Sequence, residues 1–276
     1  MLVTLNDVLS RAQREHYAVG LFNTTDTDML QGAIEAAEQM RSPIIIGTAQ
    51  VLLPFGELDL IGPSLRAAAE RASVPVVLHY DHGLTADRCK QALELGFSSI
   101  MFDGSVLSEQ QNIEQTAMLA RLAHRYGATI EGEVGHVGSG DDAPDTDGYT
   151  TPQQAIDFVQ KTGVDALAVA IGTAHGPYKH KPQLDIGRLQ SIRAAVDTPL
   201  VLHGGSGLSD EDFRQCIQNG IAKVNIFTDL CLAGADACRA SLEQGLGYLD
   251  MRNRKVEAIK QAVMQKMHLF GSQGKA

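Results

Sequence analysis

Val74-Pro75-Val76-Val77-Leu78-His79-Tyr80 is a short, largely apolar run rich in β-branched residues, and the stretch behind it, Thr85 to Leu95, keeps helical spacing until Gly96 caps it. Ser99-Ile100-Met101-Phe102 then opens a second run of the same kind. Strand, helix and strand in close succession make a βα repeat, and both runs are apolar on both faces, as parallel strands covered by helices are.

The unit recurs in both directions. Upstream, Tyr17-Ala18-Val19-Gly20-Leu21-Phe22 precedes a helical stripe from Met29 to Met40, and Pro43-Ile44-Ile45-Ile46 precedes a helix expected over Pro63 to Ala72. Downstream, a long helix from Glu109 to Tyr126 stops at Gly127, and runs follow at Thr129 to Val134, Ala166 to Ala170, Pro199 to Leu202 and Ala222 to Ile226. Thr151-Pro152 reads as the cap and first position of a helix through Lys161, and Asp229 to Gln244 and Arg254 to Phe270 close the chain as helices. Eight such runs predict a (β/α)8 TIM barrel formed as one domain over residues 1–276. A doubly wound open sheet is the competitor, but nucleotide-binding versions carry a Gly-rich turn after the first strand, and Phe22-Asn23-Thr24-Thr25-Asp26-Thr27 has no glycine.

Composition narrows the function. The 276 residues are 44% hydrophobic and 20% charged, with a net charge of −10. That balance argues against a surface for nucleic acid or anionic lipid. No stretch reaches the apolar length of a membrane span, and Met1 to Asp7 lacks the features of a signal peptide. The cysteines Cys89, Cys216, Cys231 and Cys238 form no regular framework, so unpaired thiols in the cytoplasm are expected.

In a barrel, polar residues at the carboxyl ends of strands gather on one rim, where barrel enzymes work. Here they are Asn23, Asp81 and His82, Asp103, Glu131 and Glu133, His175, His203 and Asn225, with Thr48 and Thr228 at the remaining ends. His82, His175 and His203 can converge as neutral imidazoles on one divalent metal with a position left open for substrate. The other histidines, His16, His79, His124, His136, His180 and His268, read as packing or surface groups. Between a strand and a helix, His203-Gly204-Gly205-Ser206-Gly207 offers exposed amides suited to a phosphate, and Lys179 can add charge to the same anion. The long polar stretch from Gly135 to Gly148 is of the kind a domain keeps for function.

Read together, Tyr80-Asp81-His82-Gly83, Phe102-Asp103-Gly104-Ser105, Glu131-Gly132-Glu133-Val134-Gly135, Gly172-Thr173-Ala174-His175-Gly176, His203-Gly204-Gly205-Ser206-Gly207 and Lys223-Val224-Asn225-Ile226 occur in the order seen in class II, zinc-dependent fructose-bisphosphate and tagatose-bisphosphate aldolases. The resemblance runs from Ala18-Val19-Gly20-Leu21-Phe22-Asn23 to the closing Phe270 to Ala276, which is essentially the whole chain.

That resemblance implies reversible cleavage of a ketose phosphate to dihydroxyacetone phosphate and an aldehyde. It implies one catalytic zinc on His82, His175 and His203, and Asp81 as the acid/base at the hydroxyl of the bond being broken. It places the dihydroxyacetone phosphate end on Gly176, on Gly204, Gly205 and Ser206, and on Asn225, Ile226, Phe227 and Thr228. Asn225 would donate to the hydroxyketone, and Thr228 with the glycine loop would hold phosphate. Asp103, Glu131 and Glu133 match acidic positions linked to a second divalent or monovalent cation, or equally to groups that orient the histidines. Relatives form homodimers and homotetramers.

Three positions depart from the family pattern. Counting from Glu133 puts Asp141, with Asp142 beside it, where a loop glutamate usually moves the second proton. Phe227 stands where small or acidic residues are usual, and Asn23-Thr24-Thr25-Asp26 replaces an Asn-rich stretch on the substrate-facing rim. These changes suit an aldehyde partner other than glyceraldehyde phosphate. A barrel metal hydrolase would need His-x-His on the first strand, which Phe22-Asn23-Thr24 does not supply. A non-catalytic aldolase-like subunit supporting a partner enzyme is the other reading, and the retained Asp81, His82, His175 and His203 speak against it.

Overall fold

The computed structural model of the chain describes residues 1–135, 148–174 and 182–276. Its strands are β1 (Leu2–Val3), β2 (Val19–Asn23), β3 (Ile44–Ala49), β4 (Val76–Gly83), β5 (Ser99–Phe102), β6 (Thr129–Val134), β7 (Ala166–Val169), β8 (Leu200–Leu202) and β9 (Ile221–Ile226). The eight strands β2 to β9 pair in parallel in sequence order, and β9 returns to β2, which closes the barrel. The helices are α1 (Leu5–Glu15), α2 (Thr27–Met40), α3 (Leu58–Arg71), α4 (Ala86–Glu94), α5 (Glu109–Arg125), α6 (Pro152–Thr162), α7 (Ile186–Ala195), α8 (Asp210–Gln218), α9 (Thr228–Glu243) and α10 (Tyr248–Leu269). This is the (β/α)8 barrel that the eight apolar runs predict.

Local signals set the helix ends. Asp26 caps α2 by accepting from the amides of Asp28 and Met29, and Thr151 caps α6 ahead of Pro152 in a reciprocal capping box with Gln154. Thr85 rather than the body of α4 forms its cap. The expected start of α3 at Pro63 is too late: the helix begins at Leu58, and Pro63 lies inside it. Burial of Leu58, Ile61 and Leu65 on one face offsets the backbone hydrogen bond that a proline cannot donate. The strand β1 and the 3-10 turn Gln50–Phe55 carry too little periodic pattern to be read from sequence.

Two apolar clusters divide the interior. The larger lies between the barrel and its helices. The smaller fills the barrel itself, where Val19, Leu21, Ile45, Val77, Ala166, Ala168, Val201 and Ala222 meet Leu5, Val8, Leu9 and Ala12 of α1. Helix α1 is thus a plug for the amino-terminal end of the barrel, and the inward positions further along the strands are polar. Asn23, His79, Asp81, Ser99, Glu131, Glu133, His203, Lys223 and Asn225 are all buried. One end of the barrel is made dry and apolar, and the other is left for chemistry.

Candidate active site

Strand alternation alone would turn Asp81 and His82 to opposite faces. The pairing of β4 with β5 shows why it does not. His79 pairs with Ser99 and Tyr80 with Ile100, but Gly83 pairs with Phe102, so Asp81 and His82 together face the single residue Met101. This is a β-bulge. His82 occupies it with φ of 44°, in the left-handed region that costs an L-residue about 1–3 kcal/mol. Gly83 follows because a Cβ there would lie 2.4 Å from Cys89 Sγ and 2.8 Å from the Met101 carbonyl oxygen.

The bulge brings both side chains to the same rim. Asp81 Oδ2 accepts from Asn23 Nδ2 at 2.7 Å, and Asp81 Oδ1 accepts from Asn225 Nδ2 at 3.1 Å. A carboxylate only accepts, so these bonds fix both amide orientations. The oxygens Asn23 Oδ1 and Asn225 Oδ1 are buried with no hydrogen-bond partner among the described residues. Burial pushes the Asp81 carboxyl up, but the positive field around it, from His82 first and then Lys223, outweighs that and holds Asp81 far below the usual carboxylate range.

His82 Nδ1 donates to Asp103 Oδ2 at 2.8 Å, and Asp103 is itself fixed by the hydroxyl and amide of Ser105 at 2.7 and 3.1 Å. His203 Nε2 donates to Glu131 Oε1 at 2.8 Å, and its Nδ1 lies 3.4 Å from Glu133 Oε2. In the neutral imidazole each carboxylate holds the proton on the nitrogen facing it, which would turn His82 Nε2 or His203 Nδ1 toward a cation. The two rings meet edge to face with centroids 4.6 Å apart. One ligand atom from each of Asp81, His82 and His203 lies within 4.8 Å of the others, and so do atoms of His82, Asp103 and Glu133. Two imidazoles of set tautomer beside carboxylates are a donor set suited to a zinc-like divalent cation, so these residues fit such a metal.

Below the rim lie two groups that sequence reading passed over. Lys223 Nζ is 2.7 Å from Glu131 Oε2, with neither side chain exposed. His79 Nδ1 shares a hydrogen bond with Ser99 Oγ at 2.8 Å, and its Nε2 lies 3.8 Å from both Asp81 Oδ1 and Glu131 Oε2. Burial, reinforced by the Lys223 charge, lowers His79 to about 3, whereas Lys223 and His203 overcome burial and lower Glu131 to about 2. The packing role expected for His79 gives way to a place inside the polar network. Its alternation with Tyr80 was a usable signal, since it puts His79 on the same face as Asp81.

The rim encloses a cavity of about 420 Å³, whose described lining includes Asn23, Asp81, His82, Asp103, Gly204, Gly205, Ser206, Asn225, Ile226, Phe227 and Thr228. Gly204 has φ of 65°, and a Cβ there would fall 2.2 Å from the Ala174 carbonyl oxygen. Ser206 Oγ accepts from the Phe227 amide at 3.4 Å, and α9 starts at Thr228 with no side-chain cap. The glycine loop and an uncapped helix end therefore line one wall. His175, Gly176, Lys179 and Asp141, with Asp142, lie outside the described residues.

A family model described as fructose-bisphosphate aldolase class-II matches residues 3–275. The chain belongs to the class II fructose-bisphosphate aldolase family. As a member it is an aldolase, a carbon–carbon lyase. The crystal structure of the YdjI aldolase from Escherichia coli K12 is 37% identical, covers 100% of each chain and superposes with a TM-score of 0.92. A probable fructose-bisphosphate aldolase of Bacillus subtilis is 35% identical over 100% of this chain and 99% of that protein. The 6-phospho-5-dehydro-2-deoxy-D-gluconate aldolase of Bacillus velezensis is 38% identical over 99% and 97%. Relatives with differing sugar names thus match this chain over nearly its full length.

Proposed function

We propose that this class II aldolase cleaves a ketose 1-phosphate reversibly to dihydroxyacetone phosphate and an aldehyde, with a zinc-like cation held by His82, His203 and His175. The observation that carries the reading is Asp81, kept ionised and clamped by Asn23 and Asn225, next to His82 and His203. When bound, the cation supplies Lewis-acid stabilisation of negative charge developing on the ketose oxygen.

The chain's own groups do the rest. Asp81 accepts the proton of the hydroxyl on the carbon that becomes the aldehyde as the carbon–carbon bond breaks. The bond's electron pair stays with the dihydroxyacetone phosphate half, and Asp141 returns a proton to that carbon. Asn23 Oδ1 and Asn225 Oδ1 accept from substrate hydroxyls, which gives these buried oxygens the partners they otherwise lack. The amides of Gly204 to Ser206, the start of α9 with Thr228, and Lys179 hold the phosphate. Asp103, Glu131 and Glu133 keep the imidazoles oriented.

The test is release of dihydroxyacetone phosphate from a panel of ketose 1-phosphates and 1,6-bisphosphates by the purified protein, with and without a chelator. Release that is lost on chelation and restored by zinc is expected. No release from any sugar by protein carrying one equivalent of metal would overturn the reading.

A further inference from the structure

The cavity has two unlike walls. In the ring order of the barrel, β8 stands opposite β4, so the glycine loop after β8 faces the arc built by the ends of β3, β4 and β5. That arc presents Ala49, Val51, Leu52, Leu84 and Val106 to the cavity. Val51, Leu84 and Val106 are 63%, 47% and 80% exposed, a concentration of apolar surface at the mouth of a polar site. It is a fixed wall: Gln50 Oε1 accepts from the Leu84 amide at 2.7 Å and from Tyr80 Oη at 3.4 Å, which ties the 3-10 turn to the end of β4. Leu53 is buried behind it.

Among the described residues, the ionisable groups lining the cavity beside this arc are Asp81, Asp103 and His82. Ser105, the polar residue within the arc, turns its hydroxyl to Asp103. Against the apolar carbon of this arc a phosphate or carboxylate on the far end of the substrate would lose water, and among the described lining residues the carboxylates of Asp81 and Asp103 would oppose it.

We infer that the aldehyde half of the substrate is uncharged and ends in an apolar group, such as a methyl or short alkyl, seated against Val51, Leu84 and Val106. The inference rests on the aldolase reading above and names the substrate class of that site. A terminal methyl buried against this arc is favoured over a charged terminus in the way a hydrophobic pocket discriminates by each added carbon.

The experiment is condensation of dihydroxyacetone phosphate with lactaldehyde and, separately, with glyceraldehyde 3-phosphate, alongside solvent deuterium exchange into dihydroxyacetone phosphate without aldehyde. The expected kcat/KM is at least about 10-fold higher for lactaldehyde. Exchange with equal or reversed preference overturns this inference and leaves the aldolase reading standing. Absence of both exchange and condensation in zinc-loaded protein overturns the two together. Leu84→Arg and Val106→Lys, both at exposed positions, are expected to shift the ratio toward glyceraldehyde 3-phosphate by several-fold, and an unchanged ratio in both would also overturn it.

Discussion

Lys223 Nζ and Glu131 Oε2 form an ion pair 2.7 Å long with no exposed surface on either side chain, directly beneath the rim of the barrel. The other oxygen of Glu131 holds His203. Removing one partner leaves a buried charge alone, so Lys223→Met is expected to lower stability by about 3–5 kcal/mol, read by denaturant unfolding. Lys223→Met with Glu131→Gln should recover much of that loss. A double variant as unstable as the single one would show that the pair contributes more than mutual neutralisation.

The rim histidines are held by carboxylates, and metal affinity should report it. Asp103→Asn is expected to weaken zinc binding by about 10–100-fold, because a carboxamide can present a donor where His82 Nδ1 needs an acceptor. His82→Ala and His203→Ala should lose metal outright. Isothermal titration of zinc into chelator-stripped protein checks all three, and unchanged affinity in Asp103→Asn would remove that residue's assigned part.

Asp81→Asn should separate binding from turnover. It removes the proton acceptor, and it also sets amide against the amides of Asn23 and Asn225. Cleavage is expected to fall by about 10²–10⁴-fold while the protein keeps its zinc. Metal content and rate measured on the same preparation decide the matter, and a near-normal rate would move the acid/base role elsewhere.

Acid should destabilise the protein in two windows. His79 is neutral in the fold, lowered to about 3, so the unfolded chain binds the extra proton as pH falls from the ordinary imidazole value of 6.5 toward 3. Glu131 is ionised in the fold, lowered to about 2, and its contribution, present above the ordinary carboxyl value of 4.5, is lost between 4.5 and 2. Each group gives a slope of at most about 1.4 kcal/mol per pH unit. Thermal midpoints should therefore decline from near neutrality downward, and His79→Gln should flatten the upper window. A variant with the same profile between pH 6.5 and 4.5 would exclude His79 as the cause.

How much of this was legible in the sequence follows from what one chain direction encodes. The strands are apolar on both faces and punctuated by helix caps such as Thr151-Pro152 and glycines such as Gly163, so the barrel could be read directly. The rim residues could be listed because they end apolar runs. Lys223 and His79 could not be ranked in the same way, because a charged residue within a buried strand is intelligible only with its partner, and Glu131 lies 92 residues away from Lys223. The Asn225 amide donates to Asp81, a contact between β9 and β4 that no local pattern announces. The start of α3 was missed because proline more often opens a helix than sits within one.

The bulge in β4 makes the site depend on a residue count rather than on residue identity alone. Deleting one residue between Tyr80 and Gly83 would restore regular alternation, and only one member of the Asp81–His82 pair could then face the rim. Anyone transplanting this acid–histidine pair to another barrel must therefore carry over the surplus residue and the left-handed turn at its second position. Copying the two side chains onto an unbroken strand would deliver one and bury the other against a helix.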